Sequence, residues 1–486
     1  MEMWKFVVNR MMNFDGSYFF ENGKKIYYLE VINRARIIGE KLAARVGPGS
    51  TCAVLCDYSI NAAIGILASW SADMVPIPMS LHYGWGVCQN ILDDMLPDVL
   101  FIDFEMTNTR IDLNQLIYNM KSDVWYGETK EKIYRESLND IAVILCTSGT
   151  TGRPKGALIS NMGLQKNIVA IYSYFMIKEH NRILISRPLY HCAVFTGEFL
   201  VSLYAGLDIY FYSDKYNPLG VKKSLLDWNI EILCGTPTLF SQLAKIFIED
   251  SAKADLKIVA LSGECITRKQ AQFIRSVFKH TKIFNVYGLT EASPRVSYLP
   301  PELFDEFPES VGYPLREISI GIFDDCGNEL DAGTIGNIIV NSPSIMRGYY
   351  NNPELTHQKV VDIGLITGDV GYLDDGGRLY ILSRADDMII KAGLNIYPKE
   401  IENLLCGVDM FDEVLAYGVQ RSQCQDIALD IVLNKEYLDV TKLTVMRVLA
   451  QYLPDHLMPC KINFVTKLNR NASGKILRPR IGAVIL

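Results

Sequence analysis

The residues best suited to chemistry stand at positions 145–158, the run LCTSGTTGRPKGAL. Seven of the ten residues from Thr147 to Gly156 are Thr, Ser or Gly, and they follow directly on the apolar run IAVIL. Small residues let a backbone wrap closely around an anion, hydroxyls donate to phosphate oxygens, and Lys155 adds positive charge. A plain Gly/Thr surface loop is the bland reading, but such loops seldom combine hydroxyls, glycines and a Pro-Lys-Gly ending behind a buried strand. The GxxxxGK[ST] loop of many kinases and NTPases is absent, because Gly156 and Ala157 follow the lysine.

A strand must deliver that loop, and the chain is rich in suitable segments. Residues 28–45 carry apolar residues at helical spacing, then Gly47-Pro48-Gly49 leads into TCAVLC, a helix at about 60–71 and the short strand MVPIP. Further short apolar runs, rich in β-branched or aromatic residues, occur at DVLFID, IAVILC, RILISR, LDIYFY, IEILCG, LKIVALS and KIFNVYG. Helix-like stretches separate them, the pattern of a largely parallel sheet with helices on both faces. After about residue 310 hairpin signals appear at DDCGN and DDGGR, which predict a small antiparallel region. Beyond Arg384 a compact α+β piece follows: a helix from Pro398, strands at EVLAYGVQ and IALDIVLN, and a helix near 440–453. The expected fold is α/β, with a large N-terminal domain over 1–385 and a small α+β domain over 386–486.

The phosphate-binding run resembles TSGTTGxPKG, the signature of the adenylate-forming superfamily of acyl-CoA synthetases, peptide-synthetase adenylation domains and luciferases. NVYGLTEAS (285–293), GTIGNIIVNSPSIMRGYYNNPELT (333–356), ITGDVGYLDDGGRLYILSRADD (366–387) and NASGKILR (471–478) resemble later motifs of the same family, in the same order. The resemblance implies ATP-dependent activation of a carboxylic acid to an acyl-AMP, followed by acyl transfer to a thiol. It implies that Thr147, Ser148, Gly149, Thr150, Thr151, Gly152 and Lys155 hold the β- and γ-phosphates, and that Glu291 binds Mg2+, a hard ion preferring oxygen ligands. Tyr287 would lie against adenine, Thr290 would approach the α-phosphate, and Asp369 and Arg384 would hold the ribose. Lys475 would be the mobile catalytic lysine, bridging carboxylate and α-phosphate. Asp386 falls at the family's hinge position, about which a mobile C-terminal domain turns between the two half-reactions. Gly393, within KAGLNIYPKEIE (391–402), would line the thiol tunnel.

PLYHCAVF (188–195) resembles the PLFH stretch at the acyl pocket, where His191 would gate or shield the mixed anhydride. The implied pocket liners are His191, Cys192, Phe195, Ser262, Gly263 and Gly288. The aspartate with which amino-acid-activating relatives hold an α-amino group is missing here. Ser383 replaces the usual glycine before the arginine, and LSGECIT (261–267) leans toward peptide-synthetase domains, whereas NIYPKEIE and PLYH lean toward CoA ligases. Coenzyme A is the preferred acceptor, with Lys391 and Lys399 as candidates for its phosphates, and the phosphopantetheine arm of an acyl or peptidyl carrier protein is the alternative.

With 486 residues the chain exceeds one compact core, so at least two domains are expected. Composition fits a well-buried globular enzyme, at 49% hydrophobic and 21% charged residues. A net charge of -7 argues against broad nucleic-acid binding. Eleven cysteines without CxxC pairs read as reduced core thiols. No signal-peptide pattern opens the chain, and the apolar stretch 62–78 is broken by Ser69, Ser71 and Asp73 and too short to span a bilayer. A cytoplasmic enzyme with no stable membrane insertion is expected.

Overall fold

The computed structural model describes residues 2–56, 59–81, 84–104, 116–127, 138–147, 154–214, 217–248, 255–391, 394–421, 424–470 and 476–479. Two parallel sheets form the body of the chain. In the smaller, Val75–Met79, Thr51–Leu55, Val99–Ile102 and Ile117–Asn119 run parallel in that order, and Val124–Tyr126 closes one edge antiparallel. In the larger, the order is Lys282–Gly288, Ile258–Leu261, Ile232–Gly235, Arg182–Ile185, Asp208–Phe211 and Tyr18–Glu21, all parallel. Arg295–Leu299 and Lys24–Tyr27 flank this block antiparallel. Thr51–Leu55, Val75–Met79 and Ile258–Leu261 are buried at every residue, as strands covered on both faces must be.

The helices start where side chains satisfy their free N–H groups. Thr267 and Gln270 form a capping box ahead of Arg268–Val277, and the Thr236 hydroxyl accepts from Leu239 N–H at the start of Pro237–Phe247. One apolar cluster joins Tyr28–Arg45 and Ser59–Ser71 to residues of both sheets, so the sheets share a core.

Two features differ from the sequence reading. The run IAVILC does not join a parallel sheet: Ile141–Thr147 pairs antiparallel with Lys155–Ser160 in a separate two-stranded ladder. The connection is too short for a crossover helix, so the strand can only fold back. An N-terminal hairpin, Tyr18–Glu21 with Lys24–Tyr27, was not anticipated, although Asn22-Gly23 is a strong turn signal. Both residues take left-handed φ, 50° and 77°, as a type I′ turn requires.

The antiparallel region beyond 310 forms as expected, with Gly364–Leu373 pairing on one side with Gly336–Asn341 and on the other with Leu379–Arg384. From Ile389 onward an apolar cluster of its own forms under Pro398–Leu405, Phe411–Arg421, Cys424–Leu433 and Lys442–Tyr452. Among the described residues no helix is long and apolar enough to cross a membrane.

Candidate functional site

The larger sheet delivers the first group of side chains. At the end of Lys282–Gly288 the chain turns through Thr290–Ala292, a single 3-10 turn, into Arg295–Leu299. Leu289 N–H donates to Pro294 O at 2.9 Å and closes the turn. A Cβ at Gly288 would stand 2.0 Å from that same Pro294 oxygen, so only glycine allows this return. Tyr287, Thr290 and Glu291 therefore project from one tight corner.

Glu291 is held twice. Its carbonyl accepts from Met346 N–H at 2.8 Å, and its Oε1 accepts from the Tyr349 hydroxyl at 2.6 Å. Tyr349 belongs to the Gly-Tyr-Tyr stretch that zips onto the hairpin of Ile141–Thr147 and Lys155–Ser160. Leu158 N–H donates to Gly348 O, Arg347 N–H to Leu158 O, and Tyr350 N–H to Gly156 O. In that hairpin Thr147 stands opposite Lys155, whose ammonium lies 5.9 Å from the Tyr349 ring centroid. Lys155, Tyr349 and Glu291 thus form one line of contacts. Burial pushes the Tyr349 hydroxyl well above its ordinary pKa, and the negative Glu291 adds to this. The hydroxyl stays a donor, and an ionised carboxylate keeps further lone pairs for a hard cation.

A second group adjoins the first. The ladder between Gly364–Leu373 and Leu379–Arg384 sets Asp369 opposite Arg384, and Arg384 Nη1 donates to Asp369 Oδ1 at 3.0 Å. The Tyr287 hydroxyl donates to Asp369 Oδ2 at 2.5 Å, and Asp369 N–H donates to the Thr367 hydroxyl at 3.0 Å. Asp369 is buried while Arg384 is exposed, so the pair faces outward through the arginine. Burial and the Asp369 charge push the Tyr287 hydroxyl far above its usual range.

The Thr290 hydroxyl donates to Cys192 Sγ at 3.1 Å, which brings the Pro188–Phe195 stretch to the same corner. Burial raises the Cys192 thiol above its ordinary pKa. The His191 ring is half-buried, 4.0 Å from the Tyr190 ring centroid. Phe195, expected to line the pocket, instead has no exposed surface and packs edge-on against Trp70. Ser262 is buried with its N–H on Gly235 O, whereas Gly263 is exposed at φ +88° and next to Thr236.

Ser148, Gly149, Thr150, Thr151, Gly152, Gly393 and Lys475 lie outside the described residues. Asp386 is exposed within the short turn Ala385–Asp387. The two lysines singled out for CoA are both engaged. Lys391 Nζ donates to Met458 O at 2.8 Å and pairs with Asp426, and Lys399 pairs with Glu402 at 3.6 Å.

Sequence reasoning missed the partners. Tyr349 and Thr367 stand inside quoted motifs, yet nothing local marks them as supports of Glu291 and Asp369. It also missed a buried ion pair, Arg187 Nη2 to Glu198 Oε1 at 2.6 Å, close behind the His191 stretch. Burial raises the Glu198 carboxyl, against the pull of Arg187 and Arg295.

Known proteins are similar over nearly the whole chain. A 2-succinylbenzoate–CoA ligase of Oceanobacillus iheyensis is 26% identical over 480 residues, 95% of each chain. A feruloyl-CoA synthase of an Amycolatopsis species is 26% identical over 463 residues, 94% of each. Among solved structures, ATP-bound MatB of Rhodopseudomonas palustris superimposes with a TM-score of 0.83 at 25% identity, covering 97% of both chains. MenE of Bacillus subtilis with its acyl-adenylate intermediate OSB-AMP shares the fold, with a TM-score of 0.82 at 24% identity, covering 98% of this chain and 97% of that one. Residues 10–350 match the family described as AMP-binding enzyme, and the chain belongs to that family of adenylate-forming enzymes.

Proposed function

We infer that the chain is an AMP-forming acid–thiol ligase. A carboxylate oxygen of the acid attacks the α-phosphorus of ATP and pyrophosphate leaves. The thiol of coenzyme A then attacks the acyl carbon, and AMP leaves. The observation carrying this reading is the continuity of one site, in which Lys155–Tyr349–Glu291 and Tyr287–Asp369–Arg384 meet at the Gly288–Pro294 corner.

In this reading Thr147 and Lys155, with Ser148, Gly149, Thr150, Thr151 and Gly152, hold the β- and γ-phosphates. Glu291 holds Mg2+, which fits an ion that takes one or two carboxylates and completes its shell with substrate phosphate. The ion would neutralise charge on the departing pyrophosphate. Asp369 and Arg384 take the ribose, Tyr287 the base, and Thr290 the α-phosphate. His191, Cys192, Ser262, Gly263 and Gly288 border the acid. Lys475 completes the adenylating site from a small C-terminal unit turning at Asp386, and Gly393 lines the thiol path.

The names of the relatives, a 2-succinylbenzoate–CoA ligase, a feruloyl-CoA synthase and long-chain-fatty-acid–CoA ligases, support coenzyme A as the thiol. The test supplies ATP, Mg2+ and a panel holding 2-succinylbenzoate, ferulate, short-chain and long-chain acids, and follows pyrophosphate and thioester. At least one acid should release pyrophosphate and, with free CoA, yield a thioester. ADP release would sink the adenylating reading. Pyrophosphate without thioester from CoA, but with rapid loading of a phosphopantetheinylated carrier protein, would replace the acceptor.

A further inference from the structure

The motif LSGECIT leaves one residue unexplained by the reaction: Glu264, directly after the pocket residues Ser262 and Gly263. Its Oε2 accepts from the Thr238 hydroxyl at 2.7 Å and from Thr238 N–H at 3.3 Å. Its Oε1 is buried without a hydrogen bond, 4.0 Å from Arg470 Nη1. Arg470 comes from the C-terminal part of the chain. Its Nη1 donates to the Thr238 hydroxyl at 3.1 Å, and its Nη2 to Glu413 Oε1 at 2.5 Å. One guanidinium fork thus spans both parts, with Glu413 on its own side and Thr238 and Glu264 on the other. A planar fork with fixed donor directions sets an orientation as well as an attraction.

Where Arg470 sits in its own segment gives this contact a consequence. Arg470 bridges antiparallel to Ile476, and Leu477 N–H donates to Asn469 O at 2.8 Å. These pairings flank residues 471–475, which end in Lys475 and lie outside the described residues. Fixing Arg470 therefore also fixes Ile476, the residue to which Lys475 is bonded in sequence. Thr238 and Glu264 are well placed to receive it, because they adjoin Thr236, Ser262 and Gly263 at the candidate acid pocket. Two more contacts cross the same boundary: Cys406 Sγ donates to the Thr267 hydroxyl at 3.2 Å, and Lys269 approaches Asp409 at 4.0 Å.

We propose that Arg470, docked on Thr238 and Glu264 and bridged to Ile476, is a positioning residue through which Lys475 acts during acyl-adenylate formation. It releases when the C-terminal unit turns for thioester formation. The proposal rests on the ligase reading above and adds a residue pair that sets which half-reaction the molecule is poised for.

The test uses the full chain, with the acid from the panel that turns over fastest. Arg470→Gln should lower kcat for ATP–pyrophosphate exchange about ten-fold or more, with the KM for ATP within about two-fold, because a misplaced group costs rate rather than binding. Thioester formation from presynthesised acyl-adenylate and CoA should stay within about two-fold. Glu264→Gln should show the same split, and the double variant should lose no more than Arg470→Gln alone, as coupled partners do. Arg470→Lys, which keeps charge but not the fork, should recover only part of the rate. Equal loss of both half-reactions, or unchanged exchange, overturns the proposal. A second measurement needs no acid. Peptide-resolved N-ethylmaleimide labelling of Cys406 in the presence of ATP should run several-fold faster in Arg470→Gln at an unchanged melting temperature. An unchanged labelling rate overturns the latch even if no acid in the panel is a substrate, so failure of the latch and failure of the ligase reading are told apart.

Discussion

In the proposed reaction Glu291 and Tyr349 divide one task at the residue scale. The carboxylate supplies charge, and the tyrosine hydroxyl, 2.6 Å away, supplies direction. Glu291→Gln keeps an acceptor for Tyr349 but removes the charge that a hard ion needs. The expected result is an adenylation rate down by about 100-fold, equivalent to ~2.7 kcal/mol of transition-state stabilisation, with the Mg2+ optimum shifted upward and little change in melting temperature. Tyr349→Phe keeps the ring beside Lys155 and removes only the hydrogen bond. A loss of about ten-fold is expected there, with the Mg2+ optimum nearly unchanged. Titrating Mg2+ in both variants checks the division, and an unaltered optimum in Glu291→Gln would remove it from the metal site. Glu291 was legible because it stands in a contiguous motif. Tyr349 was not, since its partner lies 58 residues away and only the folded corner joins them.

At the scale of elements, the corner from Gly288 to Pro294 does more than connect two strands, because Thr290 and Glu291 hang from its single turn. Gly288→Ala would drive a Cβ into the Pro294 oxygen, backbone against backbone, and no side chain can give way. The turn must open, at a cost of about 1–3 kcal/mol, and carry Glu291 off its line to Tyr349. Melting temperature and pyrophosphate exchange should fall together, the exchange by more than about ten-fold. Gly327→Ala, at an exposed turn outside the residues assigned to the site, is the control. That glycine, unlike Gly288, has a left-handed φ of 85°, and nothing lies within 4 Å of its Cβ, so strain of about 1–2 kcal/mol arises without moving the corner. Equal loss of exchange in both variants would mean that general destabilisation, not the corner, sets the rate. Most elements could be read from the sequence, since buried parallel strands announce themselves as unbroken apolar runs. Pairing could not: IAVILC has the same texture as its neighbours, and its antiparallel fate depends on the brevity of the loop that follows.

Across the whole molecule, the proposed reaction needs one part of the chain to turn against the other, and the separate apolar cluster beyond Ile389 fits that need. Contacts that cross the boundary include two polar ones, Arg470 to Thr238 and Cys406 to Thr267. The change of texture after Arg384 was legible, and a separate apolar cluster begins at Ile389. The pose was not, because it depends on contacts between residues such as Thr238 and Arg470 that lie 232 positions apart. Asp386 is exposed in the turn Ala385–Asp387, so its replacement disturbs no buried contact. A 3-10 turn holds φ near the value that proline imposes. Asp386→Pro should therefore favour the present pose and forbid any pose that swings this residue to another φ. Because this pose docks Arg470, and with it Ile476, beside the candidate pocket, the retained half-reaction should be adenylation, within about three-fold of the parent rate. Thioester formation from presynthesised acyl-adenylate should fall by at least about 100-fold, more than ~2.7 kcal/mol. Asp386→Ala, which leaves φ free, should keep both steps and so separate the backbone constraint from loss of the carboxylate. Survival of both half-reactions in Asp386→Pro would place the pivot elsewhere, and equal loss of both with a lowered melting temperature would show that the turn is a structural joint rather than a hinge.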